Sequence, residues 1–529
     1  ALGAPVLGAT ALWFALLMAI GATLLSAIGT RPGRAPWRAA GAFALGVSLG
    51  GSLVSLVALG SALVARDFSL RYVAGFTGRL MSRQAALSAL WAGPAGAALC
   101  LAVAGGACAV LALALHRRDR VLQPAAVATL ALLVAATLVA VQLGSSPFVR
   151  LNTPPAEGRG LHPQLMHAAM LLQPPFQLLG LAMLAVPFAY TVSFTRQALG
   201  LGHQGDVDAS SVYAIWRQRL QQWLVAVWLL LTLATTTGLW WAQQQLGWFG
   251  YFFSWEPYAS APMLPWLAVT ALLLVLVSEV DRASGAWWLV GFMAFTGCLG
   301  VASLVRLRGG IAASIRAVDA TPSLLLISMA GIGILLTGVL GFVAARATNR
   351  GRVAFGGRVL LVGALLAAVG VTGSYWRRDR THALDTGEVM AVTDPFGRPW
   401  RFTSQGLSSY EERDHTVFAV GVMAIRDGAR VGLLNSRQRQ YFDASGNPVF
   451  EPSTSVGAAQ TWTEAVSLAF LGPVNRTAAA VRISFVPLVA LLWLGAALSC
   501  VGLALAAWPA RTAVDDGRTG PEPATSTAA

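Results

Sequence analysis

Lysine is absent from this 529-residue chain: all 37 basic residues are arginine, set against 23 Asp+Glu. Charge of either sign is scarce, at 11% of residues, where a soluble domain averages about 25%. With 56% hydrophobic residues and a mean hydropathy of +0.63, that scarcity excludes a disordered chain and a soluble globular enzyme. Length alone would allow about three or four soluble domains; the hydropathy replaces them with a membrane bundle. The four cysteines, Cys100, Cys108, Cys298 and Cys500, each lie in an apolar run with no CxxC spacing and no nearby histidine, which argues against a disulfide framework or a zinc site. Histidine is nearly as rare, with six in the chain. No Walker-type loop or HExxH occurs. The net charge of +14 would ordinarily raise nucleic acid as a partner, but the arginines are scattered between apolar runs and read better as topology signals.

What is present is a series of stretches long enough to cross about 30 Å of hydrocarbon. They lie near 5–28, 40–64, 86–115, 125–143, 177–195, 221–241, 264–280, 286–304, 323–345, 359–375 and 485–507. The first lacks a basic n-region and is closely followed by the second, so it reads as a span, not a signal peptide. With eleven alternating spans, the clusters Arg31/Arg34/Arg38, Arg117/Arg118/Arg120, Arg196/Arg217/Arg219, Arg282 and Arg346/Arg350/Arg352/Arg358 share one side. That side is expected to be cytoplasmic, with the N-terminus outside and the C-terminus inside; Arg66, Arg71, Arg79 and Arg83 in an outer loop run against the bias. The expected class is an all-α polytopic membrane protein of about 11 transmembrane helices with a small β-rich extracytoplasmic domain before the last helix. Its expected parts are a helical bundle at 1–375, the β-rich domain at 376–482, the last helix at 483–508 and a disordered cytoplasmic tail at 509–529. The β reading rests on strand-like runs at Thr416–Ile425 and Ala429–Leu434, with turn signals at Asp427-Gly428 and Ala444–Asn447.

The densest signal is the outer segment 240–266, WWAQQQLGWFGYFFSWEPYASAPMLPW. It holds Trp240, Trp241, Trp248, Trp255 and Trp266, with Phe249, Tyr251, Phe252, Phe253 and Tyr258 between them. An aromatic belt at headgroup level needs one or two such residues per helix end; a platform of flat faces for a large planar ligand uses more. Both readings stay open on chemistry alone. Glu256, between a Trp and a Pro at the membrane edge, is either a solvated interfacial carboxylate or an organiser of this loop. His116, beside Arg117 and Arg118, and His203 read as solvated. Neither inverted repeats nor mid-span polar residues support a transporter.

The segment resembles the WWD motif of heme-handling membrane proteins, most closely the CcmF group of cytochrome c maturation proteins, the heme lyase of a multi-component pathway. The similarity extends to Phe68–Val73, Ser146-Pro147-Phe148, Glu157–Leu161, Gln173-Pro174-Pro175, Gln438–Asn447 and Val481–Pro487. It implies a bacterial cytoplasmic-membrane protein of cytochrome c-type biogenesis that presents heme for covalent attachment to apocytochrome c outside the membrane. The implied partners are a heme chaperone, apocytochrome-handling subunits and the apocytochrome. The working surface would be the outer loops 144–176, 242–263 and 305–322.

The departures from that group matter as much. The group's two outer heme-binding histidines align with Gln173 and Arg316, and its two intramembrane histidines with Leu274 and Leu361. Its motif aspartate is Glu256, and Ala259-Ser260 replace Glu-Asn. One span between about 322 and 355 stands where the group has several. The chain thus reads as a shortened, divergent relative, for which an intramembrane heme b is not expected. Arg316 keeps the ability to pair with a heme propionate, and His162 or His167 is offered as a replacement axial ligand to outer heme iron; the plain alternative makes them loop residues. Heme lyase-like activity stands against a scaffold or assembly partner that no longer binds heme.

Overall fold

The computed structural model describes residues 3–31, 33–117, 119, 121–201, 209–246, 263–277, 290–291, 293–298, 351–373, 376–412, 415–442, 445–449 and 452–507. The long apolar runs form helices α1 (Ala4–Gly29), α2 (Ala35–Ala65), α5 (Pro94–Leu115) and α6 (Gln123–Ser145). Two short helices, α3 (Arg71–Phe76) and α4 (Arg83–Ser88), lie between α2 and α5. Then come α7 (Gln173–Met183), α8 (Ala185–Ala198), α9 (Ala209–Leu246), α10 (Met263–Val277), α11 (Gly351–Gly373) and α12 (Val489–Ala507). Proline stands in the first turn of α1, α2, α5, α6 and α7, where its missing N–H leaves no intrahelical bond unmade.

Among the described residues, eight segments are long and apolar enough to span a membrane, and Pro265–Leu276 is a shorter apolar helix. They meet eight of the expected spans, with the shorter helix at the position of a ninth. The expected spans 286–304, in most of its length, and 323–345 lie outside the described residues, as does the expected tail at 509–529. The start of the last span is corrected. It was expected at 485, and the last helix domain at 483, yet Ala479–Pro487 is a β-strand and the helix begins at Val489. An apolar run buried on both faces of a central strand looks like helix by hydropathy; Arg482 and Ser484 mark the period-2 alternation within it.

Residues 378–487 form a sandwich of two antiparallel sheets. One is ordered β1-β9-β8-β7 and the other β2-β3-β4-β5-β6, with β1 at Arg378–Leu384, β2 at Val389–Thr393, β3 at Pro399–Glu411, β4 at His415–Arg426, β5 at Ala429–Tyr441, β6 at Ser453–Ser455, β7 at Gly457–Gln460, β8 at Glu464–Pro473 and β9 at Ala479–Pro487. Trp400, Phe402, Val422 and Leu434 of one sheet pack on Val466, Phe470, Ile483 and Phe485 of the other, the face-to-face arrangement of a sandwich core. The β4–β5 hairpin turns at Asp427 (φ 51°) and Gly428 (φ 81°), both left-handed as a two-residue type I′ turn requires.

The sandwich hangs from two helices that pack antiparallel through glycines. A Cβ at Gly356, Gly363 or Gly370 of α11 would fall 2.7, 2.4 or 2.4 Å from backbone nitrogens of α12. The backbones therefore touch, as they do where small residues drive helix association in lipid. This pairing places both exits, Gly373 and Leu488, side by side and fixes where the sandwich starts.

Candidate functional site

The loop after α6 is sewn to the segment after α2. Leu151 N–H donates to Ser69 O at 2.8 Å, Arg71 N–H to Val149 O at 2.9 Å and Arg159 N–H to Ala74 O at 2.8 Å. Glu157 Oε1 accepts from the Arg79 N–H at 2.6 Å. At Gly158 a Cβ would lie 2.0 Å from Thr77 O, so only glycine allows that approach. Two of the sequence segments that carry the resemblance, Phe68–Val73 and Glu157–Leu161, are thus brought together in space. Their base is a small apolar cluster of Met81, Ala92, Leu161, Leu165 and Met170, against which Trp91 and Trp241 pack.

From this base the chain makes two short 3-10 turns, Pro163–Met166 and Ala168–Leu171, which place His162, His167 and Gln173 within one compact stretch. His167 Nδ1 caps the second turn, accepting from the Ala169 N–H at 3.1 Å. Its ring sits edge-on to Trp240, with centroids 5.2 Å apart at 67°. Burial, then the charge of Arg439, lowers its pKa below the ordinary 6.5; burial does the same for His162. Gln173 opens α7 fully buried, and its Nε2 donates to Gln177 Oε1 at 2.6 Å.

The β-sandwich closes over the same place. Val456 N–H donates to Gln244 O near the end of α9 at 3.1 Å, and Arg439 of β5 lies close enough to His167 to act on its titration. Arg439 belongs to the Gln438–Asn447 segment, so another of the resembling stretches reaches this site. Trp240 remains 39% exposed, which leaves part of its face for contact with something outside the chain. Trp266 is oriented differently: its indole N–H donates to Thr232 Oγ1 at 2.8 Å and ties α10 to α9. Trp248, Trp255, Glu256 and Arg316 lie outside the described residues, as do residues 247–262 of the loop expected at 242–263 and the whole of 305–322.

The Gln173 amide is a poor iron ligand, and its nitrogen is committed to Gln177. His167 accepts a backbone N–H at Nδ1, so the neutral ring carries its proton on Nε2, the nitrogen an iron would need. Leu274 is buried in the helical core and Leu361 is half-buried, and neither bears a donor atom. Among the described residues no three His, Cys, Asp or Glu gather as a metal site. In this arrangement Gln173 and His167 do not fit axial ligation.

His116 corrects the expectation that it is solvated. It is buried, and its Nε2 accepts the Trp223 indole N–H at 3.1 Å while Tyr190 meets its ring edge-on. Burial, then Arg219, pushes its pKa down to about 4. The neighbouring arginines in sequence suggested water; the indole donor from α9, over a hundred positions away, could not be read there. His203 lies outside the described residues.

A model of the cytochrome C assembly protein family matches residues 93–306. The chain is 35% identical over 253 residues to a probable cytochrome c-type biogenesis protein, NrfE, of Escherichia coli K12, covering 47% of this chain and 43% of that protein. It is 31% identical over 348 residues to the cytochrome c-type biogenesis protein ccl1 of Rhodobacter capsulatus, covering 64% of this chain and 50% of that protein. The solved structure of the cytochrome c heme lyase CcmF superposes with a TM-score of 0.65 over 96% of this chain and 98% of that one, at 19% identity. The chain is CcmF-like. The structural likeness bears on the fold, and the CcmF-like chain spans about half the length of the curated relatives it matches. The family match runs from the start of α5 through α9, the Trp-rich segment and α10 to residue 306. It therefore contains His162, His167, Gln173, Trp240, Trp241 and Trp266 in one continuous stretch.

Proposed function

We propose that this chain works in c-type cytochrome biogenesis, as a multi-pass membrane component whose outer face brings heme and apocytochrome c together. The observation that carries the reading is the seating of the sandwich, through Val456, on the aromatic end of α9 beside His167. A planar, anionic ligand placed there would meet an indole face at Trp240 and a cation at Arg439. The proposed partners are a heme chaperone, the apocytochrome-handling subunits and apocytochrome c. The orientation proposed is N-terminus outside and C-terminus inside, with the sandwich as the outer domain. Trp248, Trp255, Glu256 and Arg316 are proposed to complete the surface.

Deletion of the chain from its host, followed by heme staining of membrane and soluble c-type cytochromes, tests this reading. Loss of at least one holocytochrome with its apoprotein still made is expected; unaltered holocytochromes would reject it.

A second reading, a scaffold without heme of its own, is favoured by the Gln173–Gln177 hydrogen bond and the His167 tautomer. A pyridine hemochrome assay on protein purified from heme-sufficient cells separates the two. Stoichiometric heme supports heme presentation by this chain, and absence of heme supports the scaffold. His162→Ala and His167→Ala spectra then report whether either imidazole contacts the iron.

A further inference from the structure

The end of the sandwich that joins α11 and α12 is built unlike the rest of it. Three large aromatic side chains stand out from that rim: Trp376 is 66% exposed, Phe396 49% and Trp462 84%. They come from three separate connections, yet hydrogen bonds, strand pairing and close packing of neighbouring residues tie all three to the point where the last helix begins. Thr463, next to Trp462, accepts from the Leu488 N–H at 2.7 Å, and Leu488 immediately precedes α12. Arg398, two residues from Phe396, donates to Thr463 Oγ1 at 3.0 Å. Trp376 follows the end of α11, whose Gly373 lies against Leu488, and β1 then pairs Arg378 with Phe485. Trp462 thus stands next to the residue that holds Leu488, and the first turn of a membrane helix begins at Val489.

Charge is arranged around these rings in layers. The carboxylates point inward: Asp394 and Glu464 are fully buried. Arg398 bridges them, with Nε 2.7 Å from Asp394 Oδ2 and Nη2 3.1 Å from Glu464 Oε1. Arg426 lies 3.7 Å from Glu464 and stacks over the Trp400 ring. Both arginine side chains remain partly exposed, at 31% and 26%. Arg378 donates to the Asp394 carbonyl, and the acids that face outward, Asp427 and Asp379, are each paired with an arginine, Arg426 and Arg377. The turn bearing Phe396 is rigid, because Asp394 Oδ1 accepts from the N–H groups of both Phe396 and Arg398 at 2.8 Å. Exposed aromatics on a fixed turn, ringed by cations and continuous with two membrane helices, are the chemistry of a headgroup layer.

We propose that this rim is a lipid-docking surface. Trp376, Phe396 and Trp462 enter the headgroup layer on the sandwich side, and the outer edges of Arg398 and Arg426 engage phospholipid phosphates. The sandwich then lies anchored at both ends, to lipid at this rim and to α9 at Gln244. Its tilt over the bundle is set by the bilayer as well as by protein contacts. A protein partner is the weaker occupant, since the rim sits where the chain itself enters the membrane and a bilayer is already adjacent.

Hydroxyl-radical footprinting of the unaltered full chain, in nanodiscs of phosphatidylcholine with phosphatidylglycerol, tests the proposal. Trp376, Phe396 and Trp462 are expected to be oxidised several-fold less than Tyr410, at the other end of β3 and 41% exposed. Oxidation of the three in proportion to that exposure, as for Tyr410, would overturn it. A second measurement uses nitroxide labels at position 396, 462 or 411 of the full chain, with Cys100, Cys108, Cys298 and Cys500 replaced. Labels at 396 and 462 should be more accessible to oxygen than to a polar nickel complex, and the label at 411 the reverse. Equal behaviour at all three positions rejects the docking.

Discussion

Gln173 and Gln177 hold each other at the start of α7, amide nitrogen to amide oxygen at 2.6 Å, with both side chains buried. Each pairs once, and Gln173 Oε1 and Gln177 Nε2 have no partner among the described residues. Gln173→Ala would strand the remaining acceptor on Gln177, at a cost of about 1–3 kcal/mol. Replacing both residues by apolar ones of similar size, as in Gln173→Met with Gln177→Leu, removes the stranded groups together and should cost less than the single change. A double-mutant cycle on thermal unfolding in detergent checks this. Additive single and double effects would show that the pair carries no coupling.

His167 makes a prediction with a definite sign. Its pKa is lowered from 6.5 by burial and by Arg439, so the folded chain favours the neutral ring. The contribution is present above about 6.5 and is lost as pH falls through the lower, folded value. Acid should therefore release the sandwich from the helical bundle, and His167→Gln should weaken that pH dependence. Hydrogen exchange at the Val456 amide, corrected for the intrinsic rate, reads the docking directly. The His167→Ala change also removes a turn cap, for which a loss of about 1 kcal/mol is expected.

Glu464 runs in the opposite direction. Burial, then the Asp394 carboxyl beside it, raises its pKa from 4.5 to about 7. Asp394 is pulled up by burial as well, but the backbone N–H and guanidinium of Arg398 win and hold it below its ordinary value. Between 4.5 and about 7 the folded chain keeps a proton on Glu464 that the unfolded chain has lost, so stability falls as pH rises through that window. Glu464→Gln should flatten the slope and stabilise the sandwich at pH 8 by on the order of 1–3 kcal/mol. The infrared band of a protonated carboxyl, present in the parent at pH 6 and missing in the variant, would identify the group. Persistence of that band in the variant would assign the proton to Asp394 instead.

The membrane class, eight of the spans and the β-rich stretch were legible because each rests on local pattern. Asp427-Gly428 announces its hairpin, and the alternation of Thr416–Ile425 announces β4. Partnerships across the chain were not legible. Nothing near Gln173 in sequence points to Arg439 of β5 meeting His167, and nothing near His116 points to Trp223. Trp266 looked like one more ring in an aromatic run, whereas its N–H is taken by Thr232, 34 positions earlier. The end of β9 was misread for a related reason: burial on both faces erases the polar alternation that separates strand from helix. The glycines of α11 carried a signal that went unused, since Gly356, Gly363 and Gly370 recur every seventh residue on one helix face.

That glycine row supports the last prediction. Substituting alanine for glycine inside a helix ordinarily gains about 1 kcal/mol. At Gly50 of α2, where a Cβ would meet nothing within 4 Å, Gly50→Ala should be neutral or stabilising. At Gly363 the same methyl would lie 2.4 Å from Ser499 N and 2.8 Å from Gly495 O. These are backbone atoms, which no rotamer change can move aside. The helices must part, and overpacking of this kind costs about 1–3 kcal/mol or more, so the clash outweighs the propensity and Gly363→Ala should be net destabilising. Because α11 and α12 carry the sandwich, the damage should spread beyond the helix pair. Faster hydrogen exchange at Leu488, whose N–H is held by Thr463 O, is expected in Gly363→Ala and not in Gly50→Ala. Equal exchange in the two variants would mean that α11 and α12 do not set the position of the sandwich.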